Sequence, residues 1–558
     1  VSNKLNEQKK ETAATHPDAP VSGAPHAPAL DVSRATPTEG LLHPLRIPVF
    51  RNLIAADVVS DIGTFMQSVG AAWLMVSLGA SPLYIALTTT ASSLPFFIFA
   101  LPAGSIGDIV DRRKLVLATE TWMASVAVLL MALTIAGKIS PLMLLLLTFA
   151  LSAGDAFESP TWRAILPELV PKEDLPSASA LNGIEFNIAR AVGPALAGAV
   201  IAAAGIGTAF TLNAVSFIGV IYVVARWKRV AAKRKGPAET LGSATAAALR
   251  YVRYSPAVRG LALRSGATMF FASALLALLP SIAHDVSKSP LGYGALLGCF
   301  GAGAIGGGLL LNRLRARRSA ERVVSGGVMV FGVGAIAVSW LSSFPLLCAA
   351  MLVAGASWLL FISLFNVLLL NEAPDWVRAR VLAIGLLVTQ GALAAGSALW
   401  GEVATRYGIH TALFWAGAGA IATTALVIVY RLPDATADLT PWSHWKMPPE
   451  LSGRMDPDAG PILVAVEYEV APERETEFLK AIYKFERIRR RDGAYQWGIF
   501  QDLERPRRFV ETFLTASWGE HLRQHERTTV ADRALEEHVR NTVLSEPKVS
   551  HLAAPAEP

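Results

Sequence analysis

The sequence predicts an all-α polytopic membrane protein, with twelve transmembrane helices in two six-helix halves and a small soluble α+β domain after them. Three observations predict it. Charge is scarce and unevenly spread: of 558 residues 53% are hydrophobic and 17% charged, against about 25% in soluble globular chains. Residues 461–558 hold 15 Lys and Arg with 17 Asp and Glu, about a third, while the preceding 460 residues are about 13% charged. Apolar runs of the roughly 20 residues that a bilayer requires recur from Val49 to Tyr430. Basic residues, finally, gather in alternate connections. A soluble enzyme, a fibre and a disulfide scaffold are thereby excluded.

Residues 1–45 are rich in Pro, Ala and Thr and lack a basic start followed by an apolar core, which reads as a disordered tail and not a cleavable signal peptide. Twelve apolar cores follow, at 53–78, 83–103, 115–136, 141–164, 176–204, 208–226, 259–283, 291–311, 323–341, 345–370, 380–404 and 409–430. Gly- and Ala-rich stretches such as 193–207 and 298–308 suit close helix packing in lipid. Cys299 and Cys348 both lie inside apolar runs, so no disulfide is expected.

Direction follows from the basic residues. Arg112, Arg113 and Lys114, Lys172, the cluster 226–235, the cluster 313–322, and Arg378 with Arg380 occupy one set of connections; the alternate set holds little beyond Lys138, Lys288 and Arg406. The positive-inside rule makes the first set cytoplasmic and places both termini inside. The connection 227–256 divides the spans into halves, 46–226 and 257–432, and the halves echo each other: 166–171 matches 370–374 in pattern, and 104–114 matches 308–318. Repeated halves of this kind rock about a substrate site near the midplane.

The segment 104–114, GSIGDIVDRRK, resembles the signature loop of the major facilitator superfamily. Gly104, Asp108 and Arg112 match its glycine, aspartate and arginine, whereas Ile109 and Asp111 depart from it. Gly193 and Pro194 resemble the superfamily's antiporter motif, and the stretches 60–63, 154–167 and 182–198 are similar to a bacterial branch that includes the enterobactin exporter. The resemblance implies a gate from Gly104, Asp108, Arg112, Arg113, Gly193 and Pro194. For Asp108 the physical role is to accept hydrogen bonds at a helix N-terminus in one state only. Arg112 and Arg113 are equally well explained as markers of the cytoplasmic face.

Ionisable groups in a span must face a cavity or a partner. Asp57 and Asp61 lie four apart in span 1, and Asp155 and Glu158 three apart in span 4, each pair on one helix face. Paired carboxylates in a confined space resist double ionisation, as a proton-coupled carrier requires. The plainer reading leaves Asp57 hydrated near the cytoplasmic end and Glu158 ending a helix at Pro160. Span 5 adds Glu185, Asn187 and Arg190; a midplane Arg190 needs a carboxylate on another span, Asp61 or Asp155 by depth, either as a lock released by protonation or as a static clamp. Gln390 is the polar candidate of the second half. An arginine that the resemblance would place in span 4 is Ala150 here, so proton coupling is the weaker part of the expectation and transport the stronger.

The stretch 433–460 is a Pro-, Asp- and Trp-rich linker, with Trp442 and Trp445 suited to the interface. From 461 to 553 the pattern reads strand, helix, two strands, helix, strand: Ile462, Val464, Val466 and Tyr468 alternate inward, and Phe478, Ile482 and Phe485 share a helix face. That order is ferredoxin-like and resembles small domains of the antibiotic-biosynthesis monooxygenase type, which act as dimers and need no metal or flavin. The resemblance points to Trp518, His521 and His525 as a pocket; the plain reading of two histidines one turn apart is a solvated face, and no third metal ligand is evident.

The expectation is thus a cytoplasmic-membrane exporter of a small organic, amphipathic or siderophore-like compound in exchange for protons. It has no cofactor, no metal and no nucleic-acid partner, and 461–553 allow a homodimer. An importer of the same architecture, and a membrane-tethered enzyme or ligand sensor, stay open.

Overall fold

The computed structural model describes residues 40–229, 241–433, 437–442 and 456–554. The expected tail up to 39, the middle of the central connection and Trp445 lie outside the described residues. Six helices come first: α1 (Pro48–Ser77), α2 (Pro82–Ile109), α3 (Arg112–Ile135), α4 (Pro141–Leu169), α5 (Leu175–Ala204) and α6 (Ile206–Arg226). After α7 (Leu241–Tyr254) follow α8 (Pro256–Ser287), α9 (Pro290–Arg317), α10 (Ala320–Val338), α11 (Phe344–Asn371), α12 (Asp375–Tyr407) and α13 (Ile409–Thr423). Eleven of these segments are long and apolar enough to cross a membrane among the described residues. The thirty-residue α1 carries Arg51, Asp57 and Asp61 in its first half.

Prolines open many of these helices, where a missing N–H costs nothing. Two single-residue turns need glycine outright: Gly205, at φ +83°, joins α5 to α6, and Gly408, at φ +91°, joins α12 to α13. Each follows the fifth long helix of its group, α5 among α1 to α6 and α12 among α8 to α13. Two sequence readings change. The connection 227–256 is not all loop, because it holds α7, and α4 does not end at Pro160 but continues to Leu169.

Helices α1 to α6 pack among themselves, α1 against α5 and α6, α2 against α4, and α3 against α4 and α6; α8 to α13 do likewise, α8 against α12 and α13, α9 against α11, and α10 against α11 and α13. The groups are bridged chiefly by α2 with α12 and α5 with α9, and to a lesser extent by α2 with α8 and by α1 with α8 and α9. At the α5–α9 bridge backbones touch: a Cβ on Gly198 would stand 2.9 Å from Gly294 Cα, and one on Gly294 2.8 Å from Gly198 Cα. Trp73 of α1 stacks on Tyr293 of α9 with ring centroids 6.3 Å apart. Leu83 N donates to Thr405 Oγ1 at 2.9 Å, and Thr90 Oγ1 to the Ala394 carbonyl at 2.9 Å. All these contacts fall between mid-span and the ends whose connections carry few basic residues. On the other side Ile184, Phe186 and Ile188 of α5 are exposed. The bridging contacts thus gather toward one end of the bundle.

Replacing Gly294 by Val wedges a side chain into the α5–α9 backbone contact. With Cys299 and Cys348 replaced by Ser, a cysteine placed at Thr405 is expected to react several-fold faster with a membrane-impermeant thiol reagent in the Gly294→Val background. An unchanged rate would mean that the glycine contact does not hold that end together.

The C-terminal domain comprises β1 (Ile462–Glu469), α14 (Glu475–Asp492), β2 (Tyr495–Gln501), β3 (Arg508–Thr515), α15 (Trp518–Arg527), α16 (Val530–Arg540) and β4 (Lys548–Ala553). Its sheet runs β2-β3-β1-β4 with every neighbour antiparallel. Ile462, Val464, Val466 and Tyr468 face inward as their alternation predicts, onto Phe478, Ile482 and Phe485.

This domain sits on α7 and on the turn between α11 and α12. Arg250 Nη2 donates to Glu520 Oε1 at 2.7 Å, Arg527 lies over the Trp376 ring at 4.5 Å, and Arg491 over Tyr251 at 5.4 Å. Tyr251 in turn donates its hydroxyl to the Glu372 carbonyl at 2.9 Å. The linker is tied to the same domain: Val530 N donates to the Thr440 carbonyl at 3.0 Å, and Trp442 N to that of Thr528 at 2.9 Å.

Candidate functional site

The acidic residues of the first six helices converge. Gly154 lets α4 close on Met123 of α3, and Gly193 lets α5 close on Phe65 and the Ile62 carbonyl of α1. These approaches bring Asp57 and Asp61 (α1), Glu120 (α3), Asp155 and Glu158 (α4) and Glu185 (α5) within electrostatic reach of one another. The carboxyl groups of Asp61 and Glu185 meet in hydrogen-bonding contact, as do those of Glu120 and Glu158. Thr119 Oγ1 donates to Glu158 Oε2 at 2.7 Å. Two carboxyl groups hydrogen-bond to each other only when one carries a proton, since an ionised carboxylate is an acceptor alone.

Arg190 interacts with Asp61 and stands over the Phe186 ring at 5.0 Å. Asp155, Asn187 and Arg190 are exposed, Asp57 and Asp61 half-buried, and Glu120, Glu158 and Glu185 buried. An exposed charge deep in a span faces a hydrated space, because lipid would exact several kcal/mol for it. Asn187 Nδ2 donates to the Gly183 carbonyl of its own helix at 2.7 Å. Gln390 is half-buried on α12, beside Gly391, which packs on Phe97 of α2; no hydrogen bond joins it to the acidic cluster among the described residues. Sequence reasoning passed over Glu120. Its signal was available, a lone acidic residue in the apolar run 115–135, but it has no acidic neighbour one turn away on its own helix.

The basic loop residues are engaged within the first six helices. Arg112 Nη1 donates to Glu168 Oε1 at 2.8 Å and to the Ala164 carbonyl at 2.9 Å; Arg229 joins Glu168 at 2.7 Å and Asp111 at 3.0 Å. Arg113 Nε donates to the Val224 carbonyl at 3.0 Å. Arg112 is thus engaged with α4 and Arg113 with α6, and among the described residues no hydrogen bond takes either to α8 to α13. Asp111, the departure from the signature, accepts from Lys114 N at 3.1 Å and starts α3. The side chain of Asp108 and the surroundings of Gly104 lie outside what is described. Pro194 lies within α5, next to Gly193 and its contact with α1.

In the C-terminal domain the solvated-face reading of the histidines is overturned. His521 is 2% exposed, Trp518 lies 5.4 Å from it, and His525 and His551 each lie 4.8 Å from it, ring to ring. His551 comes from β4, brought beside His521 by the pairing of β4 with β1. Among the described residues no three His, Cys, Asp or Glu side chains are placed to hold a metal ion. Burial, then the neighbouring His551 and Arg489, push His521 down to about 3. The unfolded imidazole, near 6.5, binds its proton first as pH falls, so this contribution to stability is complete above about 6.5 and is lost progressively below it. At pH 5 the loss is about 2 kcal/mol. The domain's melting temperature is expected to fall between pH 7.5 and 5, and His521→Phe to flatten that dependence; parallel curves would remove His521 as the cause.

A multi-span helical bundle with acidic residues gathered within its spans is the arrangement of a membrane transporter. The Transmembrane secretion effector family of major facilitator proteins matches residues 39–557, and the chain belongs to it. Its relatives include the multidrug efflux pump Tap of Mycobacterium tuberculosis, 25% identical over 391 residues, which span 68% of this chain and 92% of Tap. The staphyloferrin A transporter of Staphylococcus aureus is 23% identical over 359 residues, 62% of this chain and 87% of that protein. Among solved structures, an inward-facing bacterial homologue of the lysosomal transporter Spinster superposes with TM-score 0.55 at 15% identity, covering 69% of this chain and 95% of its own. The protein carries out secondary transport of a small organic compound across a membrane by alternating access.

Proposed function

We propose that this protein is a proton-coupled exporter of the cytoplasmic membrane, built from twelve transmembrane helices in two halves, 46–226 and 257–432, with both termini inside. The observation that carries the coupling is the contact between carboxyl groups at Asp61–Glu185 and Glu120–Glu158 beside the exposed Asp155 and Arg190. Such pairs load and release protons as the cavity alternates. Asp61 and Arg190 form the pair that protonation would release; Asp57, Glu158, Asn187 and Gln390 line or support the path. The matching turns at Gly205 and Gly408 and the separate packing of α1–α6 and α8–α13 support the two halves. Bridging contacts gathered away from the basic loops support an inward-open state. An efflux pump among the relatives supports the outward direction, and the stretches similar to the enterobactin exporter favour that branch.

The domain 461–553, joined by the linker 433–460, has the strand order of a ferredoxin-like fold, and the exposed edge strands β2 and β4 offer a route to a homodimer. Its ties to Trp376 and Glu372 favour an accessory role, riding on the second half as it moves.

The test uses everted vesicles with an inward proton gradient reported by a quenched dye. Dequenching by an added amphipathic compound supports proton exchange; transport of that compound at the same rate after the gradient is collapsed sinks it. Truncation after Gly460 separates the roles of the annex, since transport that survives makes it accessory.

A further inference from the structure

We infer that the basic end of α9 binds an anionic phospholipid, its phosphate held by Arg313 and Arg317 and its acyl chains laid along the helix face beside them. The segment 308–318 lacks the acids of its match at 104–114. At that offset Asp108 and Asp111 stand opposite Asn312 and Arg315, and Arg112 opposite Ala316. The earlier segment has three basic and two acidic residues, a net +1; the later has four basic and none acidic, a net +4. Arg112 and Arg113 are satisfied within the protein, the first by Glu168 and the second by the Val224 carbonyl. Glu372, opposite Glu168 at the same offset, makes no ion pair among the described residues, and Glu321 is held by Arg264 at 2.6 Å. Arg313, Arg315, Arg317, Arg318 and Arg322 are all exposed, and none of their guanidinium groups makes a hydrogen bond or ion pair among the described residues.

Independently of charge, the face of α9 that leads to these arginines is bare. Leu309 is 75% exposed and Leu310 47%, Ala302 is exposed, and a side chain at Gly306 would meet nothing within 4 Å. Other faces of the helix are taken, by α11 at Gly303 and Gly307 and by α5 at Gly294 and Gly301. Leu309, Arg313 and Arg317 follow at one helix turn each, so apolar and basic groups form a single stripe. With 28 residues, α9 is about 42 Å long, against about 30 Å of hydrocarbon. Its apolar part fills the core, and the arginines emerge among the headgroups. Two guanidinium groups one turn apart suit a phosphate diester, and basic clusters beside a span attract anionic lipid. A zwitterionic headgroup brings a cation that this loop repels, and free phosphate brings no chains for the bare face. Orientation by charge asks only for basic residues; it requires neither the loss of both acids nor an empty apolar face in line with the arginines.

The experiment adds dioleoylphosphatidylglycerol or dioleoylphosphatidylethanolamine to the purified full-length protein in detergent and counts retained lipids by native mass spectrometry. Retention of the phosphatidylglycerol is expected to be roughly five-fold higher or more. Arg313→Gln combined with Arg317→Gln should remove most of that excess. Arg46→Gln combined with Lys172→Gln, which takes the same charge from exposed positions outside both segments, should leave the excess nearly unchanged. Equal retention of the two lipids, or equal losses in the two double variants, overturns the inference. Full displacement of phosphatidylglycerol by inorganic phosphate also overturns it, because the site would then hold an anion and not a lipid. Phosphatidylglycerol that stays bound in phosphate, but is retained several-fold less by Leu309→Asn, supports the contact of chains with the bare face.

Discussion

Asp61→Asn is expected to lower proton-driven transport by at least ten-fold while leaving substrate exchange across vesicles without a gradient largely intact. Asparagine keeps the shape and the hydrogen-bonding reach of the carboxyl group but has no proton to release, so it holds the Asp61–Glu185 contact in one protonation state. Exchange of cargo for cargo needs no net proton movement and reports binding alone. The pair of measurements separates coupling from recognition: loss of both would make Asp61 a substrate contact, and retention of both would move the coupling to Glu120 and Glu158. Equal insertion into the membrane, read by the yield of folded protein in detergent, guards against a trivial loss.

Glu511→Ala is expected to destabilise the C-terminal domain strongly and leave the membrane part standing. Glu511 is fully buried and accepts from the Tyr468 hydroxyl at 2.8 Å, Trp497 Nε1 at 2.8 Å and Arg489 Nε at 3.3 Å. Arg489 is partly buried and lies over the Phe485 and Phe513 rings, at 4.7 and 5.0 Å. Removing one partner of a buried ion pair costs about 3–5 kcal/mol, against a stability of roughly 5–15 kcal/mol for a typical domain. Trypsin should then cleave within residues 475–548 at temperatures where the wild-type domain resists. Glu511→Gln, which can still accept from Tyr468 and Trp497, should fall between. Full protease resistance in Glu511→Ala would mean that Arg489 finds another partner.

The interface of this domain with α7 has a different character. Arg250 Nε and Trp376 Nε1 are buried there without hydrogen-bond partners among the described residues, although Arg250 holds Glu520 through Nη2. Unsatisfied donors weaken a contact, so Arg250→Ala, which removes the bond to Glu520 from the α7 side, is expected to loosen the domain from the membrane half without unfolding it. A several-fold rise in proteolysis within the linker 443–455, with the domain itself intact, would show this.

Much of this protein is written in one dimension. Span-length apolar runs, the alternation of basic connections and the strand periodicity at 462–468 depend only on local spacing against a fixed bilayer thickness or a fixed pleat. Pairs such as Asp57 with Asp61 and Asp155 with Glu158 were legible for the same reason, since one helix turn is a matter of counting. Helix α7 escaped notice because its fourteen residues are too short for a span and lie in a stretch defined by its charge.

The rest required the fold. Glu120 joins the acidic cluster only because Gly154 brings α3 against α4, and no spacing along the chain announces a partner 38 residues away. His521 looked solvated until β4, pairing with β1, laid His551 against it. Arg112 was legible as a basic residue on the cytoplasmic side, but its engagement with Glu168 depends on how far α4 continues past its prolines. Sequence by itself determined which segments enter the membrane and which remain in water, because transfer free energy is summed locally. Tertiary structure decided which charges meet, because a buried charge is stable only beside partners that distant helices supply.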